Sequence, residues 1–146
     1  METAPALDGA ALRRARERAG LSQSGLARAA GVADGQRISR WERGEARPRS
    51  AAALRQVAVL LHVSPRSLLL PPTGPPSLRW LRYAAGTTVE ELAAAIHASP
   101  GTVKRWEASG LLKPTDSTVS AVAAALGASA DDVREALRQG SDSSSA

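Results

Sequence analysis

Arg is the only strongly basic residue type in residues 1–70. This half contains twelve Arg and no Lys against six acidic residues, whereas residues 71–146 contain seven basic and eight acidic residues. The guanidinium group presents a planar fork of N–H donors that fits a phosphate group or the O6/N7 edge of guanine. An Arg-only basic half therefore favours a nucleic-acid ligand. A coding bias toward Arg and Ala is the alternative, and it explains single Arg residues better than it explains the asymmetry.

Residue sets typical of catalysis or metal binding are not found in the sequence. The chain has no Cys, which excludes thiolate catalysis and Cys-based metal sites. His62 and His97 have no ligand cluster near them, and the sequence contains neither a Gly-rich phosphate loop nor a Ser-His-Asp framework. We therefore expect no enzymatic activity, no metal and no cofactor.

The composition is that of a soluble globular protein. Hydrophobic residues make up 43% and charged residues 23% of the chain. No apolar run approaches the length of about 18 residues that is typical of a membrane-spanning helix. The N-terminal residues do not combine a basic start, an apolar stretch and a small-residue cleavage site. We expect a cytoplasmic protein with no membrane partner.

The chain repeats its own pattern, which predicts two small domains in tandem. Residues 12–20 return in residues 78–86, and the Arg-Trp-Glu of residues 40–42 returns at 105–107. This period is too long for a solenoid repeat and suits domains with a modest core each. Pro and Gly between the copies and a Ser-rich C-terminus set the predicted bounds, which are a first domain at 6–70, a Pro-rich linker at 71–77, a second domain at 78–139 and a disordered tail at 140–146.

Each domain is predicted to contain five short helices and no strand, so the fold class is all-α. Apolar residues recur at three- and four-residue spacing, Ser or Thr precedes several runs as an N-cap, and Gly follows several as a C-cap. The third helix of the first domain is predicted at residues 34–43, with Ile38 and Trp41 facing the core. In the second domain the equivalent helix opens at Ser99-Pro100.

At this level of detail the chain resembles the Cro/C1-type (XRE) helix-turn-helix family. The resemblance covers nearly all of residues 10–70 and, less completely, residues 77–138. The second copy also echoes MerR-type helix-turn-helices, but the two helices after Pro114 follow the order of the first copy. The residues that carry the resemblance in the first copy are Leu21, Ser22, Gln23, Leu26, Ala27, Gly31, Val32, Ile38, Ser39, Arg40, Trp41, Glu42, Arg43, Gly44 and Pro48.

The resemblance implies that the third helix reads the major groove of DNA. Gln36 would then pair with adenine, and Arg37 or Arg40 with guanine, each discriminating by about 1–3 kcal/mol. The alternative is that these are ordinary solvated surface residues. The family also implies that Gln23 binds a phosphate and braces the reading helix, and that residues around the following loop touch the DNA backbone. The remaining DNA-binding candidates of the first domain are Ser39, Arg43, Arg47 and Arg49.

An Arg and a Glu occupy equivalent places in both copies. We predict a partly buried ion pair between Arg16 and Glu42, and a second between Arg82 and Glu107. Each would join the first helix of its domain to the end of the third. The neighbouring Trp residues at 41 and 106 are predicted to lie in the core.

The second domain differs from this pattern at the positions that would contact DNA in the first domain. Val89 replaces the glutamine at the start of the second helix, and Glu90-Glu91 puts negative charge where a phosphate would lie. Four residues of this domain could still bind DNA more weakly, namely Thr102, Lys104, Arg105 and Lys113. Three roles remain open: a second DNA reader, a surface for dimerisation or another protein, and a passive remnant.

We therefore expect a sequence-specific transcriptional regulator whose partner is double-stranded DNA, with repression by promoter occlusion as the default mechanism. The alternative is a protein-interaction adaptor, of the antitoxin or RNA-polymerase-binding kind, in which the second domain docks a partner or a second copy.

Overall fold

A computed structural model describes residues 4–32 and 34–139, and it confirms the all-α fold class. The chain divides into two compact units between Pro71 and Pro72. The first unit contains α1 (Gly9–Arg18), α2 (Gln23–Ala30), α3 (Gly35–Glu42), α4 (Ala51–Leu61) and a 3₁₀ helix (Pro65–Leu68). The second contains α5 (Leu78–Ala84), α6 (Val89–Ala95), α7 (Pro100–Ser109), α8 (Asp116–Leu126) and α9 (Ala130–Gln139). None of the helices in the described ranges is long and apolar enough to cross a bilayer.

Side-chain caps fix where the helices of the first unit begin. Ser22 accepts a hydrogen bond from the Gly25 N–H at 2.9 Å, and Asp34 accepts one from the Arg37 N–H at 3.1 Å. Each cap satisfies a backbone donor that the helix itself leaves unpaired. As a result α3 runs from Gly35 to Glu42, one residue shorter at each end than the predicted 34–43.

The first unit is closed by a contact between its two ends. Leu7 and Leu69 form an isolated antiparallel bridge, which is the only β-type pairing within the described residues. Both side chains are buried, together with apolar residues from every helix of the unit. This core fixes α3 through Ile38 and Trp41, which are 0% and 1% exposed.

The second unit follows the same order but ends differently. Its last helix, α9, is a ten-residue α-helix, whereas the first unit ends in a four-residue 3₁₀ helix. Trp106 is half-buried, so the prediction that it lies in the core is only partly met. The amide of Gln139 donates to the carbonyls of Pro75 and Pro76 at 3.3 and 3.4 Å, so the end of the predicted linker contacts this unit. The predicted tail at 140–146 lies outside the described residues.

Candidate nucleic-acid interface

In the first unit α2 and α3 follow each other after a short connection and approach closely at their N-termini. A Cβ atom on Gly35 would lie 2.7 Å from the Ser24 Oγ and 3.0 Å from the Ser24 backbone N. Only a residue without a side chain allows this distance. The approach brings the polar start of α2 next to the outer face of α3.

One face of α3 is polar and turned away from the core. Gln36 and Arg40 are exposed and Ser39 is half-buried, while Ile38 between them is fully buried. Arg43 follows one turn after Ser39 and is exposed. Three- and four-residue spacing keeps these side chains on the same side of the helix.

An open cleft of about 530 Å³ lies between this face and the start of α2. It brings together four of the predicted DNA-binding residues, Gln23, Gln36, Ser39 and Arg43. Hydroxyl, amide and guanidinium groups are the donors and acceptors that contact phosphates and base edges. We refer to this feature as the α2–α3 cleft.

The structure does not bring Arg37 into this group. Arg37 lines a separate cavity on the other flank of α3, together with Trp41 and Arg49. At 100° per residue, Arg37 points well away from the direction shared by Ser39 and Arg43. Sequence reasoning grouped Arg37 with Gln36 because they are neighbours in the chain, but they lie on different sides of the helix.

Gln23 is held in place by the predicted ion pair of Arg16 and Glu42. The Arg16 guanidinium donates to Glu42 through Nε at 2.5 Å and Nη2 at 3.1 Å, and its Nη1 donates to the Leu21 carbonyl at 2.9 Å. The Gln23 amide donates to the same Glu42 Oε1 at 3.1 Å. Hydrogen bonding to Glu42 raises the pKa of Arg16 further above its ordinary value. One buried carboxylate thus ties α1, the start of α2 and the end of α3 together.

The Arg43 guanidinium group already makes two hydrogen bonds within the protein. Its Nη1 donates to the Ser39 Oγ at 2.8 Å, and its Nη2 donates to Glu45 at 3.0 Å. The hydrogen bond from Arg43 lowers the pKa of Glu45, so the carboxylate remains charged at mildly acidic pH. Glu45 therefore occupies one edge of the Arg43 guanidinium group.

Removing the Glu45 charge is expected to strengthen binding to any duplex. In Glu45→Gln the phosphate no longer competes with a carboxylate for Arg43, so we expect about two- to fivefold tighter binding in a fluorescence titration at low salt. Glu17→Gln is the matched control, because Glu17 also pairs with an Arg at the surface and has the same change in charge. Equal gains in both variants would mean that Glu45 acts only through net charge.

The other predicted DNA contacts of the first unit, Arg40, Arg47 and Arg49, are exposed. Arg47 donates to the carbonyl of Ala4 at 2.7 Å, so it also holds the N-terminal segment. Arg40 and Arg49 make no side-chain hydrogen bond within the described residues. Both guanidinium groups are open to solvent and to an anionic ligand.

The second unit contains a more deeply buried version of the same ion pair. Glu107 is 0% exposed and accepts from Arg82 through Nε at 2.5 Å and Nη2 at 3.1 Å. Arg79, which sequence reasoning missed, donates its Nε to Glu107 at 3.2 Å. Val89 stands where the first unit has Gln23, so Arg79 rather than a glutamine is the additional donor to this carboxylate. In this unit the network is directed inward.

The outer face of α7 carries fewer groups that can contact DNA. Counting from the N-caps Asp34 and Ser99, Gly101 stands where the first unit has Gln36, and Ala108 stands where it has Arg43. Thr102 shares a hydrogen bond with the cap hydroxyl at 3.0 Å.

Of the two acidic residues at the start of α6, Glu91 is part of the helix cap. Glu91 accepts from the Thr88 backbone N–H at 2.9 Å, and Glu90 beside it is exposed. The remaining predicted contacts of this unit, Lys104, Arg105 and Lys113, are exposed. The second unit thus keeps the fold but not the cleft residues of the first.

Metal chemistry has no evident site in the part of the chain that the structure describes. No group of three or more His, Cys, Asp or Glu side chains there is arranged to hold an ion.

Comparison with known proteins identifies the repeated unit. A protein-family profile described as a helix-turn-helix domain matches residues 9–69 and matches again at residues 77–137. A search of curated proteins and a search of solved structures gave no significant match. The first matched stretch contains α1 to the 3₁₀ helix, the second contains α5 to α8 and most of α9, and together they cover most of the chain. The chain therefore belongs to the helix-turn-helix domain family, with two copies of the domain in tandem.

Proposed function

We propose that this protein is a sequence-specific double-stranded DNA-binding regulator whose first unit reads the major groove with α3. The observation that carries this proposal is the α2–α3 cleft, where Gln23, Gln36, Ser39 and Arg43 meet beside a helix that is anchored in the core. Membership of the helix-turn-helix family supports DNA as the partner. Binding over a promoter would repress transcription by occlusion.

The dimensions and side chains of α3 suit this role. An α-helix with its side chains is about 10–12 Å across, so α3 fits within the major groove, which is about 12 Å wide. Gln36 and Arg40 are the exposed side chains best placed to read adenine and guanine. Gln23 stands at the N-terminus of α2, where free backbone N–H groups also favour a phosphate. Glu42 orients this glutamine through its hydrogen bond.

A different role for the second unit is supported by its surface. Leu112, in the loop between α7 and α8, is 90% exposed, and Trp106 is only half-buried. Covering these apolar side chains with another protein would be favourable, since it removes apolar area from water. The second candidate function is therefore a protein-interaction adaptor in which this unit docks a partner or a second copy.

Titration of the full chain with random-sequence duplex at several salt concentrations tests the partner class. We expect affinity to fall with salt along a log–log slope of about −3 to −5, since five Arg side chains flank α3 and the following loop. Arg49→Ala should weaken binding to every duplex and reduce the slope by about one. A protein that binds no duplex at low salt would exclude the DNA-binding proposal and leave the adaptor.

A further inference from the structure

The solvent face of α4 carries apolar side chains and almost no charge. Val59 on this face is 63% exposed, Gln56 is exposed, and Leu60 is half-buried. Arg55 is the only charged residue of the helix. Residues 1–70 otherwise contain twelve Arg and six acidic residues, so an uncharged helix face stands out from the surface of this unit. Water therefore contacts apolar area that a partner could cover.

Small and large residues are arranged on this face about Gln56. Ala52 and Val59 are seven residues apart, so they lie on one side of the face. Ala53 and Leu60 are also seven residues apart and lie on the other side. We refer to these five residues as the α4 face.

The α4 face is complementary in shape to itself. If two copies of α4 meet in antiparallel orientation at Gln56, each Val59 lies opposite Ala52 of the other copy. Each Leu60 then lies opposite Ala53 of the other copy. Every large side chain thus meets a small one, which is the condition for close packing of two helices.

Gln56 lies where the two-fold axis of such a pair would pass. A primary amide contains both a donor and an acceptor, so two facing amides can donate to each other. A two-fold interface uses the same surface patch on both subunits and therefore needs groups that complement themselves. The charges of the first unit lead to the same partner, because two copies of this basic unit repel each other except where they meet through an uncharged face.

We propose that the α4 face binds the α4 face of a second copy of this chain. The helix has 11 residues and is about 16 Å long, so the contact buries less than the roughly 800 Å² per partner of a stable interface. The dimer is therefore weak in the free protein. This inference goes beyond the proposed function, since the association needs no DNA. On DNA the dimer would present two α3 helices to inverted half-sites.

The second unit does not repeat the α4 face. Counting from the N-caps Ser50 and Thr115, alanines stand at the positions of Gln56, Val59 and Leu60. They are Ala121, Ala124 and Ala125. Ala124 is exposed like Val59, so it provides a matched control on the equivalent helix.

Disulfide trapping in the full chain tests the position of the axis. The chain has no Cys, so an introduced thiol can pair only with the same residue of another copy. Gln56→Cys places this thiol at the axis, where the two Cα atoms come within the distance that a disulfide spans. We expect mild oxidation to give a covalent dimer about tenfold faster than in Ala124→Cys at the same concentration.

Sedimentation velocity of the full chain tests the association itself. We expect the wild type to associate reversibly between about 10 and 500 µM, as a small apolar contact implies. Val59→Asp should stay monomeric over this range, because the interface would desolvate a carboxylate. Ala124→Asp, with the same charge change, should associate like the wild type. Higher salt should strengthen the association, since it screens the repulsion between two basic units.

Each outcome decides the proposal without DNA. Equal rates of disulfide formation in Gln56→Cys and Ala124→Cys would overturn the antiparallel arrangement about Gln56. A wild type that remains monomeric at all concentrations, or a Val59→Asp variant that associates as the wild type does, would overturn the α4 face as the contact. Failure to bind a duplex, by contrast, would overturn the proposed function and leave this association unaffected.

Discussion

Replacing Glu107 with Ala is expected to lower the free energy of unfolding of the second unit by about 3–5 kcal/mol. The carboxylate is 0% exposed and accepts hydrogen bonds from Arg82 and Arg79, which are themselves 4% and 8% exposed. Removal of the acid takes a buried carboxylate away from two buried guanidinium groups. Removing one partner of a buried ion pair costs more than the pair contributes, because the remaining charge stays desolvated.

The equivalent change in the first unit is expected to cost less. The Glu42 side chain is 7% exposed and pairs with one guanidinium group, that of Arg16, whose side chain is 12% exposed. Solvent therefore reaches the uncompensated charge more easily after Glu42→Ala. This variant should still be destabilised, and it should also release Gln23 and so weaken DNA binding.

Urea denaturation followed by tryptophan fluorescence measures the loss of stability in Glu107→Ala and in Glu42→Ala. Trp80 and Trp106 report on the second unit, and Trp41 reports on the first. Glu135→Ala is the control, since Glu135 is an exposed acid in the same unit as Glu107. Denaturation midpoints that coincide for Glu107→Ala and Glu135→Ala would show that the buried network does not stabilise this unit.

The second large effect is expected from Gly9→Ala at the start of α1. A Cβ atom on Gly9 would lie 2.1 Å from the carbonyl oxygen of Glu42 and 2.7 Å from its carbonyl carbon. Because these are backbone atoms, α1 and the end of α3 must move apart to accept a methyl group. We expect a loss of about 1–3 kcal/mol in the free energy of unfolding, together with weaker DNA binding as the Glu42 network shifts.

Gly101→Ala provides the comparison for this substitution. Gly101 also lies in the first turn of a helix, but the nearest atom to its added Cβ would be the Ser99 Oγ at 3.9 Å. Ala is the better helix former, so this variant should be as stable as the wild type or slightly more stable. If Gly9→Ala and Gly101→Ala had equal midpoints of denaturation, the close approach of α1 to Glu42 would be wrong.

The sequence was sufficient to predict the elements and the central ion pairs. Cap residues such as Ser22 and Thr88 mark helix starts through local chemistry, which does not depend on the rest of the fold. The repeated Arg and Glu positions gave the pairs of Arg16 with Glu42 and of Arg82 with Glu107, because the same two residues stand at equivalent helix positions in both copies.

Other features depend on how the helices pack and were not predicted. Neither Arg79 as a second partner of Glu107 nor Glu42 as the acceptor for Gln23 follows from local spacing, since each joins different helices. Arg37 was grouped with Gln36, although the turn of the helix sends the two to opposite flanks. The half exposure of Trp106 likewise reflects the packing of its unit.

Each copy has one histidine in the left-handed backbone conformation at a helix end where the other copy has a glycine. His62 follows α4 with φ 57°, where the second unit has Gly127, and His97 follows α6 with φ 57°, where the first unit has Gly31. A non-glycine residue is unusual at such a helix end. The cap position is therefore a property of the fold that both copies keep with different residues.

Selection of binding sites from a pool of random duplexes is the most direct test of the claim that α3 of the first unit reads DNA sequence. The wild type should enrich a defined motif, and Gln36→Ala should relax the preference at one base position while leaving the rest of the motif unchanged. Arg40→Ala should relax a different position. The account would be contradicted if the double variant of Gln36 and Arg40 enriched the same motif as the wild type. It would also be contradicted if the wild type enriched no motif at all.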